Sequence, residues 1–165
     1  MPTYPLYLSC ADPGVTTGLA LLHATDTALE LIETAADLYD PANYRTPLDT
    51  LKRWAGIPGR HHFVGEAFHI RPGLMIPDTT PERVIDHIKI WIRDYRPYGE
   101  VIWHEPVGGK KMITDEVLKK MGLLVRGKDS DHMNDALRHG VTHLFNRRHR
   151  PTCRRAFPPR VRAGR

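Results

Sequence analysis

The sequence predicts a single α/β domain in which a mixed sheet of five strands is flanked by helices. Two observations lead to this class: three short apolar segments separated by turn residues open the chain, and helical and extended patterns alternate after them. No internal repeat or low-complexity linker interrupts this order. A length of 165 residues, of which 41% are hydrophobic, is enough for one domain with a substantial core.

The three opening segments predict a β-meander. They span residues 6–12, 17–24 and 28–38 and are rich in leucine and alanine. Pro13 and Gly14 mark the first turn, and a threonine-rich turn separates the second segment from the third. Three consecutive antiparallel strands are therefore expected.

The next segments predict a helix and a fourth strand. In residues 47–56, Leu48, Leu51 and Trp54 recur at helical spacing, and a glycine ends the pattern. The apolar run at residues 61–68 then predicts the fourth strand.

The second half of the chain alternates helix and strand. Residues 81–95 form the clearest amphipathic pattern, with Pro81 at the first helical position. A fifth strand is predicted at 99–107, followed by a helix at 114–122 with acids in its first turn and lysines in its last. A terminal helix is predicted at 129–149.

Composition bears on the location of the protein. No apolar run approaches the roughly 20 residues of a membrane span, and the first residues lack the basic start and cleavage site of a signal peptide. We therefore expect a cytoplasmic protein. Two cysteines, Cys10 and Cys153, are too few for a disulfide framework or a zinc finger.

Charge is distributed unevenly along the chain. Residues 147–165 contain eight arginines and no acid, so they carry +8, whereas residues 1–146 carry −3. We expect residues 1–146 to form the folded domain and 147–165 to be a flexible basic tail that binds a polyanion, because arginine grips phosphate bidentately. The alternatives are a solubilising tail, or a tail anchored through Pro151, Phe157 and Val161.

Three acids lie where ordinary surface charges are not expected. Asp12 ends the first strand before the proline–glycine turn, and Glu66 lies within the apolar fourth strand, where an unpaired charge is costly to bury. Asp135 shares one edge of the terminal helix with Asp131 and His132, which precede it by four and three residues. This edge can face the end of the sheet that carries Asp12 and Glu66.

Such a group points to metal chemistry. Carboxylates brought together repel one another unless a divalent cation lies among them, and oxygen ligands suit Mg²⁺ or Mn²⁺. Two such ions about 4 Å apart can activate water and stabilise the leaving oxygen of a phosphodiester. The alternative is structural: Asp12 caps a turn, Glu66 pairs with an arginine and Asp131 caps a helix.

The segments ADPGVTTGLALL, FVGEAF and HMNDALRHGVTH resemble RuvC-type Holliday junction resolvases, which are members of the RNase H-like superfamily. The resemblance spans residues 6–145 and implies an RNase H-like fold. It also implies a catalytic set that binds two Mg²⁺ ions: Asp12, Glu66, His132 and Asp135. Asp131 is the alternative to His132 as the fourth ligand. The arginine-rich tail is not a standard part of cellular RuvC, so the chain looks more like a bacteriophage-encoded relative of the family.

The resemblance further implies a homodimer and a set of DNA contacts. RuvC-like enzymes dimerise through a helix in the position of residues 81–95. They carry an aromatic wedge three residues after the glutamate, whereas here Phe68 comes two residues after it and His69 three. Together with the arginines of the tail, which are expected to bind DNA because of their charge and not because of the resemblance, the expected DNA-binding residues are Phe68, Arg71, Lys110, Lys111, Arg147, Arg148, Arg150, Arg154 and Arg155.

The lysines that the family uses near the scissile phosphate have more than one counterpart. Lys110 and Lys111 follow the fifth strand, and Lys119 or Lys120 are alternatives. Spacing does not choose among them. Lys119 and Lys120 also have a structural explanation, since cations at the end of a helix are favourable.

Taken together, these features predict a Mg²⁺-dependent, structure-selective DNA endonuclease that acts on branched DNA such as four-way junctions. Three alternatives remain. An RNA-processing or flap nuclease would share the fold, an actin-like phosphotransferase would need about twice this length, and a non-catalytic nucleic-acid-binding protein would use the basic tail alone.

Overall fold

The five strands form one mixed sheet in the order β3-β2-β1-β4-β5. The computed structural model describes residues 4–40, 46–68, 79–105 and 111–158. Strands β1, β2 and β3 pair antiparallel, and β1, β4 and β5 pair parallel. This confirms the predicted mixed five-stranded sheet. The strands are β1 Leu6–Asp12, β2 Thr16–Ala24, β3 Leu29–Leu38, β4 His61–Glu66 and β5 Glu100–His104.

Helices cover both faces of the sheet. Trp54 of the first helix and Ile88 of the second are fully buried in one core, and Leu137 and Val141 of the long fourth helix are fully buried in the other. Within the described part of the chain the helices are α1 Thr46–Ala55, α2 Thr80–Tyr95, α3 Asp115–Lys120, α4 Ser130–Asn146 and α5 Arg150–Ala156. None of these helices is both long and apolar enough to cross a lipid bilayer.

Strand β4 directs alternate side chains to the two cores. Phe63 packs in the core beneath α1 and α2, whereas Val64 packs in the core beneath α4. Successive side chains of a strand point to opposite faces, so His62 and Glu66 lie on the same face as Val64. Glu66, although charged, is therefore directed toward α4.

Two glycines allow α4 to lie close to the sheet. A Cβ on Gly140 would overlap the Cys10 sulfur and a methyl group of Leu22, and a Cβ on Gly18 would overlap the backbone carbonyl of His132. Close approach of this kind needs a residue without a side chain. The amino-terminal half of α4 is thereby held against the ends of β1 and β2.

The predicted flexible tail is wrong for residues 147–158. Residues 150–156 form α5, and the buried His149 ring bonds the Thr152 hydroxyl and the Thr25 carbonyl, both at 2.7 Å. Arg155 donates to the carbonyls of Leu29 and Met121. The composition misled because two of these basic residues, His149 and Arg155, bond backbone carbonyls of the domain and hold the segment against it.

The alternative of an anchored tail fits this segment. The Phe157 ring packs edge-on against Phe145 of α4, with ring centroids 5.3 Å apart. Residues 159–165, including Val161, lie outside the described residues.

Candidate metal centre

Asp12 and Glu66 lie side by side because they end two neighbouring parallel strands. Ala11 of β1 is in register with Gly65 of β4, so the residues that follow them emerge at the same edge of the sheet. Both carboxylates are mostly buried, each with 15% of its side-chain surface exposed. Partial burial of this kind strengthens electrostatic interactions with a bound cation.

A histidine of α4 completes a group of three. Asp12, Glu66 and His139 each offer one ligand atom, and these atoms all lie within 4.8 Å of one another. His139 is fully buried, and its Nε2 lies 2.6 Å from Oε2 of Glu66. Two carboxylates and an imidazole within this distance could hold a divalent ion.

His132 lies at the rim of this group. Its Nδ1 is 3.9 Å from Oδ2 of Asp12, and its side chain is 45% exposed. The contact follows from the close approach of α4 at Gly18, which is the register partner of Asp12. Asp131, the alternative ligand, is exposed.

Asp135 lies on the same edge of α4 but outside the group of three. Its carboxylate forms an ion pair with Arg138, which also binds Asp115 and donates to the Ile113 carbonyl at 3.0 Å. Arg138 thus connects α4 to the segment that leads into α3. Since a carboxylate has two oxygens, it can bind an arginine and a metal ion at the same time.

The sequence reasoning missed His139. Its spacing offered a signal, because it follows His132 and Asp135 by seven and four residues and so lies on the same helical edge. No pattern in the sequence indicated that the His139 ring is buried. Only the packing of α4 against β4 shows that this ring, and not the more exposed ones, meets Glu66.

Among the remaining predicted site residues, the structure describes Phe68 and three of the lysines. Phe68 is half-buried and lines, with Glu82 and Lys89 of α2 among others, a cavity of about 400 Å³. Lys111 is exposed, as are Lys119 and Lys120 at the end of α3. The predicted residues Arg71 and Lys110, and His69, lie outside the described residues.

The predicted DNA-binding arginines divide into two groups. Arg147 forms an ion pair with Glu100 of β5, and Arg155 binds backbone carbonyls, so both have roles within the domain. All five arginines are exposed, and the second group, on the surface around α5, consists of Arg148, Arg150 and Arg154.

The strand order, the mixed pairing and the helices on both faces define an RNase H-like fold. The structure is similar to Thermus thermophilus RuvC in complex with a Holliday junction substrate, with a TM-score of 0.64 and 16% sequence identity over 88% of this chain and 97% of that one. It is also similar to the fowlpox virus Holliday junction resolvase, with a TM-score of 0.61 and 15% identity over 85% and 98%. No protein-family model and no curated protein sequence matches the chain.

Proposed function

We propose that this chain is a metal-dependent endonuclease that cleaves Holliday junctions and other branched DNA. The observation that carries the proposal is the meeting of Asp12, Glu66 and His139 at one edge of an RNase H-like sheet. Two of the similar structures are a RuvC bound to a Holliday junction and a viral Holliday junction resolvase, which supports the same substrate class here.

The residues of such a site would have different roles. Asp12 and Glu66 would hold Mg²⁺ or Mn²⁺, with His132, which lies beside Asp12, and Asp135 as further ligands. When bound, a pair of such ions supplies Lewis-acid activation of water and charge stabilisation of the leaving oxygen. His139 holds Glu66 in position from the buried side and excludes water there.

Cleavage of branched DNA should require added Mg²⁺ or Mn²⁺ and be poor with Ca²⁺, whose longer and less regular bonds misplace a ligated water. The test compares a mobile four-way junction, a Y-fork, a flap and a linear duplex of one shared sequence, each with and without metal. Preference for the four-way junction supports the proposal. Full cleavage in EDTA would contradict the metal mechanism, and preference for flaps would identify a flap nuclease.

The exposed arginines around α5 are proposed to contact DNA backbone outside the catalytic footprint. Replacing Arg148, Arg150 and Arg154 with glutamine should flatten the slope of log affinity against log salt by about 2 to 3, because each phosphate contact releases about one counterion. Affinity for junction and duplex should fall by similar factors, since backbone contacts carry little shape information. Lys52→Gln, which removes an exposed cation of α1 on the other face of the sheet, supplies the control and should leave the slope unchanged.

An unchanged slope in the triple variant would contradict this assignment. Loss of junction preference alone would show instead that these arginines recognise the shape of the junction.

We also propose that the chain acts as a homodimer, because two sites related by a two-fold axis match the two equivalent strands of a four-way junction. Helix α2 is the expected contact: Ile90 and Tyr95 are exposed on it, while Ile88 and Trp91 are buried against the sheet. Light scattering at micromolar concentration should give about twice the 18.8 kDa mass of one chain. A monomer mass with and without junction DNA would contradict the dimer.

The cytoplasmic location and bacteriophage origin stay predictions.

A further inference from the structure

A second polar group lies on the same face of the sheet, at the opposite end of β4 from Glu66. It consists of His62 in β4, Glu100 in β5 and His143 in α4. His62 is the register partner of Glu100, and His143 follows His139 by one helical turn. Glu66 of the candidate metal centre follows His62 by four positions, which corresponds to about 13 Å along a strand.

These side chains have the geometry of metal ligands. Each offers one ligand atom, and the three atoms all lie within 4.8 Å of one another. Ligands of a tetrahedral zinc ion, at about 2.0 to 2.1 Å from the metal, are about 3.4 Å apart. Small side-chain rotations are therefore enough to close the group around an ion.

Both histidines are buried, and His62 is poorly bonded. His62 is 1% exposed and His143 is 5% exposed. Among the described residues neither ring nitrogen of His62 has a hydrogen-bond partner, although its Nδ1 lies 3.3 Å from Oε2 of Glu100. A buried imidazole without partners loses the hydration it had in the unfolded chain. A ligand that satisfies it would remove this penalty.

The imidazoles of this group are neutral near pH 7, and the neutral form is the one that binds a metal ion. Burial lowers the pKa of His62, and burial together with Arg147 lowers the pKa of His143 to about 4. Arg147 pairs with Oε1 of Glu100, whereas Oε2 is the oxygen that faces His62. The single carboxylate is thus oriented toward the histidines by the arginine.

We propose that His62, Glu100 and His143 form a second metal site, one that takes Zn²⁺. Two imidazole nitrogens and one carboxylate oxygen are a common zinc ligand set, whereas the oxygen-rich centre at Asp12 suits Mg²⁺. The ion would connect β4, β5 and α4 at the end of the sheet away from the candidate nuclease site. The proposal does not depend on the nuclease function.

The experiment uses the full chain carrying Asp12→Asn and Glu66→Gln, so that the candidate nuclease site no longer competes for metal. After removal of bound metal, Co²⁺ is added as a spectroscopic substitute for Zn²⁺. We expect one equivalent to bind with the visible absorption of a four- or five-coordinate ion, to raise Tm, and to be displaced by Zn²⁺. No stoichiometric binding in this background would overturn the proposal.

Single substitutions test which side chains bind the metal ion. His62→Asn or His143→Asn should weaken Co²⁺ binding by at least ~100-fold, since loss of even an outer-shell partner of a metal costs ~10 to 100-fold. His104→Asn is the matched control, because this ring lies 6.3 Å from that of His143 but is not part of the group. Glu100→Gln, at a partly exposed position, gives a second test if a buried variant fails to fold. Unchanged Co²⁺ affinity in a histidine variant, together with unchanged affinity in the separate Glu100→Gln variant, would overturn the assignment.

Discussion

Replacing Asp12 with Asn, or Glu66 with Gln, is expected to lower junction cleavage by at least ~100-fold, equivalent to about 2.7 kcal/mol of transition-state stabilisation. Each change removes a charged oxygen from a site at which the two carboxylates lie within 4.8 Å of one another. Junction binding should be kept or improved, because a negative charge facing DNA is lost. Single-turnover cleavage and equilibrium binding on one junction separate these effects.

The control is Asp49→Asn, which removes an exposed carboxylate of α1 on the other face of the sheet. It should cleave at the rate of the unmodified chain. Asp135→Asn extends the test to α4, and we expect the same loss there. Cleavage at the unmodified rate in any of the three site variants would remove that residue from the proposed site.

The second large effect is expected from Gly18→Ala. The added methyl group would overlap the His132 carbonyl, so the amino-terminal end of α4 must move away from β2. Overpacking of this kind typically costs about 1 to 3 kcal/mol of unfolding free energy. It should also lower cleavage, because His132 and Asp135 move with the helix. Chemical denaturation measures the stability and junction cleavage measures the activity.

Gly99→Ala is the matched control for this change. A Cβ at Gly99 would meet its nearest neighbour, the His61 carbonyl, at 3.7 Å, which is an ordinary contact. Its stability should change by less than about 0.5 kcal/mol, as for most substitutions away from special contacts. Equal effects in the two variants would show that α4 does not depend on close approach at Gly18.

The sheet could be predicted because its strands follow local patterns of apolar residues along the sequence. The strands of the antiparallel meander and β4 are apolar runs bounded by turn residues, and the observed β1 and β2 agree with the predicted ones within one residue. The acids were conspicuous for a related reason. Asp12 and Glu66 interrupt or end apolar strands, where a charge has few structural explanations.

What the sequence did not predict depends on contacts between distant segments. His139 is one of ten histidines, and only the depth at which α4 packs distinguishes it from the others. Helix α5 was missed because its basic composition is typical of disorder, whereas its stability depends on His149 and Arg155 bonding carbonyls more than a hundred residues earlier in the chain, at Thr25 and Leu29. Such pairings leave no periodic signal.

The contact between Gly140 and Cys10 makes the thiol a reporter of the motion of α4. Cys10 is fully buried beneath the helix, and burial raises the pKa of its thiol, so the reactive thiolate is scarce while α4 stays in place. An alkylating reagent can reach the sulfur only when the helix separates from the sheet. The rate of Cys10 modification, compared with that of the partly exposed Cys153, therefore measures how often the helix that carries His132, Asp135 and His139 opens.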